Sequence, residues 1–249
     1  MFKKAFASLI TVVGLIALAS PSIAGNKVPA KSEPVVTVKK IEKPKHVDLV
    51  MILDQSGSMG GLTSDTIGGY NSMLDKQRNS GTEVSVTTVL FNNVEKTLYD
   101  RKAIKDVPLL TSKEYIPQNT TALLDATGNT LNRMKSVKGI NDKGNKVIVV
   151  LITDGMENSS KEYTRANVKN MISNLQEQQN WEFVFLGANI DAVSEAGSLG
   201  INTKNAVKYK NTREGVKANY DAVGTMVNEA AGAVPQEERT WQDKVVKDK

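Results

Sequence analysis

Two aspartates that close long apolar runs are the chemical starting point of this sequence. Asp54 follows Leu49-Val50-Met51-Ile52-Leu53 and opens Asp54-Gln55-Ser56-Gly57-Ser58, while Asp154 follows the run Val147 to Ile152 and Thr153. Ser56 and Ser58 stand two residues apart in a loop that Gly57 lets turn tightly, so both hydroxyls can point the same way. Carboxylate and hydroxyl oxygens in an acid-poor cluster suit a hard divalent cation such as Mg2+, or Mn2+, which takes six oxygen ligands and keeps some water. Two carboxylates are too few for an all-protein calcium cage. A shell left incomplete invites an oxygen from outside.

Composition narrows the alternatives. Among 249 residues there is no cysteine and one histidine, His46. That removes a disulfide framework, a thiolate zinc site, a cysteine nucleophile and an acylated lipoprotein anchor, and it disfavours a histidine-rich metal centre or a Ser-His-Asp hydrolase. The formal charge of +5 invites a nucleic-acid or membrane reading. Sorting the charges by region withdraws it. Lys3 and Lys4 lie in the first 24 residues, six lysines against Glu33 and Glu42 lie in 25–45, and 24 basic against 25 acidic residues remain for 46–249. An electrically balanced domain offers no face for nucleic acid.

The segment 1–24 has the pattern of an export signal. A basic start is followed by the apolar stretch Ala5 to Ala19 and by Ser22-Ile23-Ala24, with cleavage expected after Ala24. About fifteen apolar residues fall short of the roughly 20 that span a bilayer, so the chain is expected to be exported, periplasmic or secreted, without a stable membrane span once the signal is removed. Residues 25–45 hold three of the seven prolines and read as an extended Lys/Pro-rich linker. Residues 234–249 read as a polar C-terminal tail.

Between these, over 46–233, apolar runs alternate with amphipathic stretches. Strands are expected at 49–53, 84–91, 147–152, 183–186 and 206–209, with a hairpin made by a short strand at 96–99. Helices are expected at 66–77, 124–134, 168–175, 191–199 and 216–230. This order predicts an α/β domain, a doubly wound, mostly parallel sheet with helices on both faces and one antiparallel edge hairpin. In such folds ligands bind beyond the carboxyl ends of the strands, which is where Asp54 and Asp154 fall.

The constellation resembles the von Willebrand factor type A (vWA) domain and its metal-ion-dependent adhesion site. The motif Asp54-x-Ser56-x-Ser58 matches the family's first element and Ile152-Thr153-Asp154-Gly155 its last. Asn119-Thr120-Thr121-Ala122 looks like the middle element, with Thr121 at the matching threonine and Thr120 where the family often has glycine. Phe185-Leu186-Gly187-Ala188-Asn189 resembles the family's fifth strand. An Asp-x-Ser-x-Ser alone arises by chance in about one chain in twenty of this length; three ordered elements at strand ends and helix starts carry far more weight.

The resemblance implies a Rossmann-like vWA fold and a Mg2+ or Mn2+ site made by Asp54, Ser56, Ser58, Thr121 and Asp154. It also implies a partner protein whose Asp or Glu supplies the sixth ligand, with one or both aspartates acting through water. The expected function is then a non-enzymatic, metal-dependent protein-binding module. Two alternatives stand beside it: a metal-dependent hydrolase or phosphoryl-transfer enzyme using Asp54, and a scaffold that binds without metal. Local readings also remain for each residue. Ser56, Ser58 and Thr121 could cap helices, Asp54 and Asp154 could close turns, and Asn189 and Asp191 could end a strand and cap a helix. Asp125 reads as a structural hydrogen-bond partner, and Glu157 and Asn158 as solvated loop residues.

Overall fold

The computed structural model describes residues 43–245. The export signal and the linker up to residue 42 lie outside the described residues, as do residues 246–249.

The apolar runs form strands β1 (His46–Asp54), β2 (Val84–Phe91), β4 (Asn145–Thr153), β5 (Glu182–Gly187) and β6 (Ala206–Lys208), and β3 (Glu95–Ala103) is the return strand of a hairpin. They make one sheet in the order β3-β2-β1-β4-β5-β6. All neighbours are parallel except β2 and β3. The expected doubly wound sheet with one antiparallel edge is what forms.

Because successive side chains in a strand point to opposite faces, β1 feeds two cores. Leu49, Met51 and Leu53 pack with Tyr70, Met73 and Leu74 of α1 (Thr63–Arg78) and with Tyr220, Val223 and Val227 of α5 (Arg213–Ala231). Val50 and Ile52 pack on the other face with α2 (Leu123–Lys135), α3 (Arg165–Gln179) and α4 (Ala192–Ser198). Helix α1 begins before the periodic stretch read from sequence, and its Gly68-Gly69 pair has a reason. A Cβ on Gly69 would lie 2.5 Å from the ring of Tyr220, so only glycine lets α1 and α5 approach this closely.

Strand order reverses between β1, which continues to β2 on one side, and β4 on the other. The crevice beyond their carboxyl ends is the switch point of the sheet, where backbone groups are left free to meet a ligand.

Two segments do more than their sequence suggested. The connection from Ile104 to Ala122 carries the chain back to the switch point, held on α1 by Asn71: its Nδ2 donates to the Leu110 carbonyl at 2.9 Å and its Oδ1 accepts from the Leu110 N–H at 2.8 Å. Beyond α5, residues 236–238 and 241–244 form two short 3-10 turns. There Trp241 is buried, and Arg239 donates to Glu182, which Lys146 also contacts at 2.7 Å. The packed body therefore runs on to Val245 instead of ending at 233, because a single large aromatic and one buried ion cluster anchor a stretch without periodicity.

Candidate metal site

Asp54 and Asp154 stand at adjacent strand ends, one residue beyond the pairing of Leu53 with Ile152 for Asp54 and two beyond it for Asp154. Both are buried. Their surroundings differ. Asp54 Oδ1 accepts the Ser56 N–H at 2.6 Å and its Oδ2 accepts the Thr153 hydroxyl at 2.6 Å, so each oxygen is committed. Tyr115, itself buried, donates its hydroxyl to the Asp54 carbonyl at 2.6 Å and fixes the backbone as well. Asp154 Oδ1 accepts from Ser58 Oγ at 2.5 Å, but its Oδ2 is buried and has no hydrogen-bond partner.

The hydroxyls converge on the same place. Ser56 Oγ and Ser58 Oγ lie 3.2 Å apart. A Cβ placed on Gly155 would stand 3.4 Å from Thr121 Oγ1 and 3.7 Å from Ser58 Oγ, so Gly155 is the floor over which these hydroxyls and Asp154 gather. Ser56, Thr121, Asp54 and Asp154 are buried, whereas Gly57, Ser58, Asn119, Thr120 and Asn158 are exposed, so the cluster opens to solvent on one side. All five residues expected from the sequence are brought together, and the neighbouring Thr120 faces solvent.

The loops that carry them are tied to one another. The Gly57 N–H donates to the Asn119 carbonyl at 3.0 Å, and the Ala122 N–H donates to the Asn92 carbonyl beyond β2 at 2.7 Å. The loop after Asp154 grips the start of α2. Asn158 Oδ1 accepts the Thr121 N–H at 2.9 Å, Glu157 accepts the Leu124 N–H at 2.9 Å, and Asp125 accepts the N–H groups of Lys161, Glu162 and Tyr163. Asp125 is thus the structural partner expected, and Asp191 caps α4 through the Ser194 N–H. Glu157 and Asn158 are not merely solvated loop residues. They satisfy the first donors of α2 and set the Thr121 backbone, a role with no local signature because the partners lie 33 and 37 positions away. Ser56 makes no side-chain cap on the turn it opens, and the N-cap position of α2 is Ala122, not Thr121, so neither hydroxyl is spent on capping a helix.

Burial pushes both carboxyls above the ordinary aspartate range. For Asp54 burial is the main cause, opposed by the hydrogen bonds from Thr153 and Ser56 and reinforced by the charge of Asp154. For Asp154 burial again dominates, opposed by Ser58. Two carboxyls beside one another that are costly to ionise, with three hydroxyls and one unpartnered buried oxygen, are the inverse of a site for an anion. A cation would remove the cost. No three His, Cys, Asp or Glu side chains converge on a common point among the described residues, so hydroxyls must complete any shell here. The donor set fits a hard divalent ion bound by oxygens alone.

No protein-family model matches the sequence, and no curated protein matches it. Solved structures match in shape. Proximal thread matrix protein 1 from the mussel byssus, in a structure with a zinc-occupied MIDAS motif, is 16% identical with a TM-score of 0.54 over 76% of this chain and 47% of that one. The pilus adhesin SpaC from Lactobacillus rhamnosus GG is 14% identical with a TM-score of 0.57 over 77% of this chain and 31% of that one. The von Willebrand factor domain of a type V pili tip protein from Porphyromonas gingivalis is 14% identical with a TM-score of 0.55 over 79% of this chain and 99% of that domain. The chain thus spans about half the length of the mussel protein and under a third of the adhesin. At these identities the likeness establishes the fold: the chain has the von Willebrand factor type A fold.

Proposed function

We propose that this von Willebrand factor type A domain is an exported, metal-dependent protein-binding module of the adhesion type. The observation that carries the reading is the gathering of the Ser56, Ser58 and Thr121 hydroxyls beside Asp154, whose buried Oδ2 has no hydrogen-bond partner.

In this reading Ser56, Ser58 and Thr121 turn hydroxyl lone pairs toward a divalent cation, and Asp154 offers its unpartnered Oδ2. Asp54 acts mainly as a post. With both oxygens held by Ser56 and Thr153, it orients the serine loop and contributes its charge through water. When bound, Mg2+ or Mn2+ supplies a positive charge with a coordination position open on the solvent side, where an Asp or Glu carboxylate of a partner protein can enter. The chain's own residues hold the donors in place before any ligand arrives, which lowers the ordering cost of binding. The zinc-occupied motif of the mussel protein, and the adhesin and pilus-tip proteins that share this chain's fold, support a divalent cation and a protein ligand. Residues 1–24 would direct export to the periplasm or beyond, and 25–45 would tether the domain.

The test is thermal melting of the chain from Gly25 onward in EDTA, Mg2+ and Mn2+. Either metal should raise the Tm, and Asp54→Ala should abolish the rise. Melting unchanged by metal would remove the adhesion-site reading. Export is checked separately by locating the chain in envelope and medium fractions; retention of an uncleaved form in the cytoplasm would contradict it.

A further inference from the structure

The geometry points to the class of ligand segment that the site accepts, an inference that rests on the proposed function: one carboxylate flanked by large apolar side chains, not an acidic run or a phosphate. Five large apolar side chains are prominently exposed among the described residues, and they are not scattered. Val94 (62% exposed), Ile116 (50%), Met156 (68%) and Val193 (46%) all lie on segments beyond the carboxyl ends of the parallel strands, and Leu109 (52%) lies on the connection that returns there. Three of them are within a short, hydrogen-bonded step of a site residue. Met156 follows Asp154 by two positions. The Val94 N–H donates to Asn92 Oδ1 at 3.1 Å, and Asn92 in turn holds Ala122 beside Thr121. The Ile116 N–H donates to Gln55 Oε1 at 3.4 Å, next to Asp54.

Apolar residues grouped on the segments around a polar site offer area that a ligand gains by covering. Beside this rim a shallow cavity of about 620 Å³ lies between Gly60, Gly61, Ile67 and Leu110, with room for a further apolar side chain.

The charges of the rim decide between ligands. Its charges balance in sequence, Glu95, Glu114, Glu157, Glu162 and Asp191 standing against Lys96, Lys113, Lys161, Lys208 and Lys210. Such a rim carries no surplus of positive charge for a second phosphate or carboxylate. A divalent cation would then be the concentrated positive charge on this face, and a single acid matches it. The further acids of an acidic run would find no net positive charge on such a rim, whereas apolar flanks would gain burial on Val94, Ile116 and Met156. The committed occupant is therefore a partner-protein segment with one Asp or Glu between apolar residues.

The probe is a library of seven-residue peptides panned on the chain from Gly25 onward in Mg2+ and eluted with EDTA. Selected peptides should carry one acid with an apolar neighbour on at least one side. Their binding should fall about tenfold or more in the double variant Val94→Ser, Met156→Ser, while the Mg2+-induced Tm rise stays as in the parent. Peptides rich in acids, peptides retained in EDTA, or selected peptides that bind the double variant unchanged would each overturn the inference. So would preferential capture of a peptide copying Ser32 to Val36 of the chain itself coupled with loss of library binding unless 25–42 is deleted, since the occupant would then be its own arm. Absence of any Mg2+ effect on the parent Tm identifies failure of the underlying metal reading instead.

Discussion

Replacing Asp154 by Asn should have opposite effects with and without metal. In the metal-free chain Asp154 Oδ2 is a buried acceptor with no partner, and burial holds the carboxyl above its ordinary range. Asparagine keeps an oxygen to accept from Ser58 and removes the charge. An unsatisfied buried polar group costs about 1–3 kcal/mol, more when charged. Taking the lower end, because the amide N–H2 also lacks an assured partner, Asp154→Asn should gain about 1 kcal/mol at neutral pH, or about 2–4 °C for a body of this size. Metal reverses the order. At a hundredfold excess over its Kd a single ion stabilises by about 2.7 kcal/mol, which raises the parent Tm by about 5–10 °C and leaves the variant unmoved. Paired melts in EDTA and in Mg2+ at pH 7.5 therefore should cross, the variant higher in EDTA and the parent higher in Mg2+. A variant less stable than the parent in EDTA would refute the electrostatic reasoning, and a variant still stabilised by Mg2+ would remove Asp154 from the site.

Three further outcomes are expected. Both aspartates have raised carboxyl pKa values, so their ionisation cost is present at neutral pH and is lost as pH falls through those values; the EDTA Tm advantage of Asp154→Asn should shrink as pH is lowered from neutrality toward the ordinary aspartate range, and the Mg2+ concentration for half the Tm shift should rise over the same interval as protons compete. A constant gap and constant midpoint would contradict this. Thr153→Val removes the donor to Asp54 Oδ2 at 2.6 Å, so it should cost about 1–3 kcal/mol in EDTA melts and weaken the Mg2+ response, with Thr153→Ser restoring both. Trp241→Ala should cost about 3–5 kcal/mol and lower the Tm in EDTA and Mg2+ alike, without changing the size of the metal-induced shift; no loss of stability would mean that the segment after α5 is dispensable to the packed body.

Legibility in the sequence followed the range of the interactions. The strands and the placing of the two aspartates could be read because Leu49 to Leu53 and Val147 to Ile152 are continuous apolar runs, each followed within two residues by an aspartate, and a doubly wound sheet brings such ends together. The threonine could be read from Asn119-Thr120-Thr121-Ala122, and burial separates Thr121 from its neighbour. Interactions over long separations left no comparable mark. The start of α1 was obscured by Gly68-Gly69 because the demand for Gly69 comes from Tyr220 on a distant helix. Glu157 and Asn158 looked like loop residues because the N–H groups they accept from belong to α2 and its approach. Trp241 sits in a polar stretch with no period to place it. Its size alone was the available signal, since an aromatic of that bulk in a polar tail has a strong reason to find cover.

The two aspartates show why a motif's residue types underdetermine their roles. Both end parallel strands and both are buried, yet the strand-end neighbour divides their duties. Thr153 donates to Asp54, and the Gly155 N–H donates to Thr153 Oγ1 at 3.1 Å, so one hydroxyl holds the first carboxylate and shapes the turn that presents the second. Asp54 is left without a free oxygen and Asp154 with one. In the proposed reading, a direct carboxylate bond would come from the β4 side, while the β1 side would supply hydroxyls on a loop held by Asp54. An arrangement of this kind keeps negative charge close to a cation without using up its coordination positions. In the proposed reading that would leave room for a ligand from outside, on the side where Ser58, Thr120 and Asn158 are exposed to solvent.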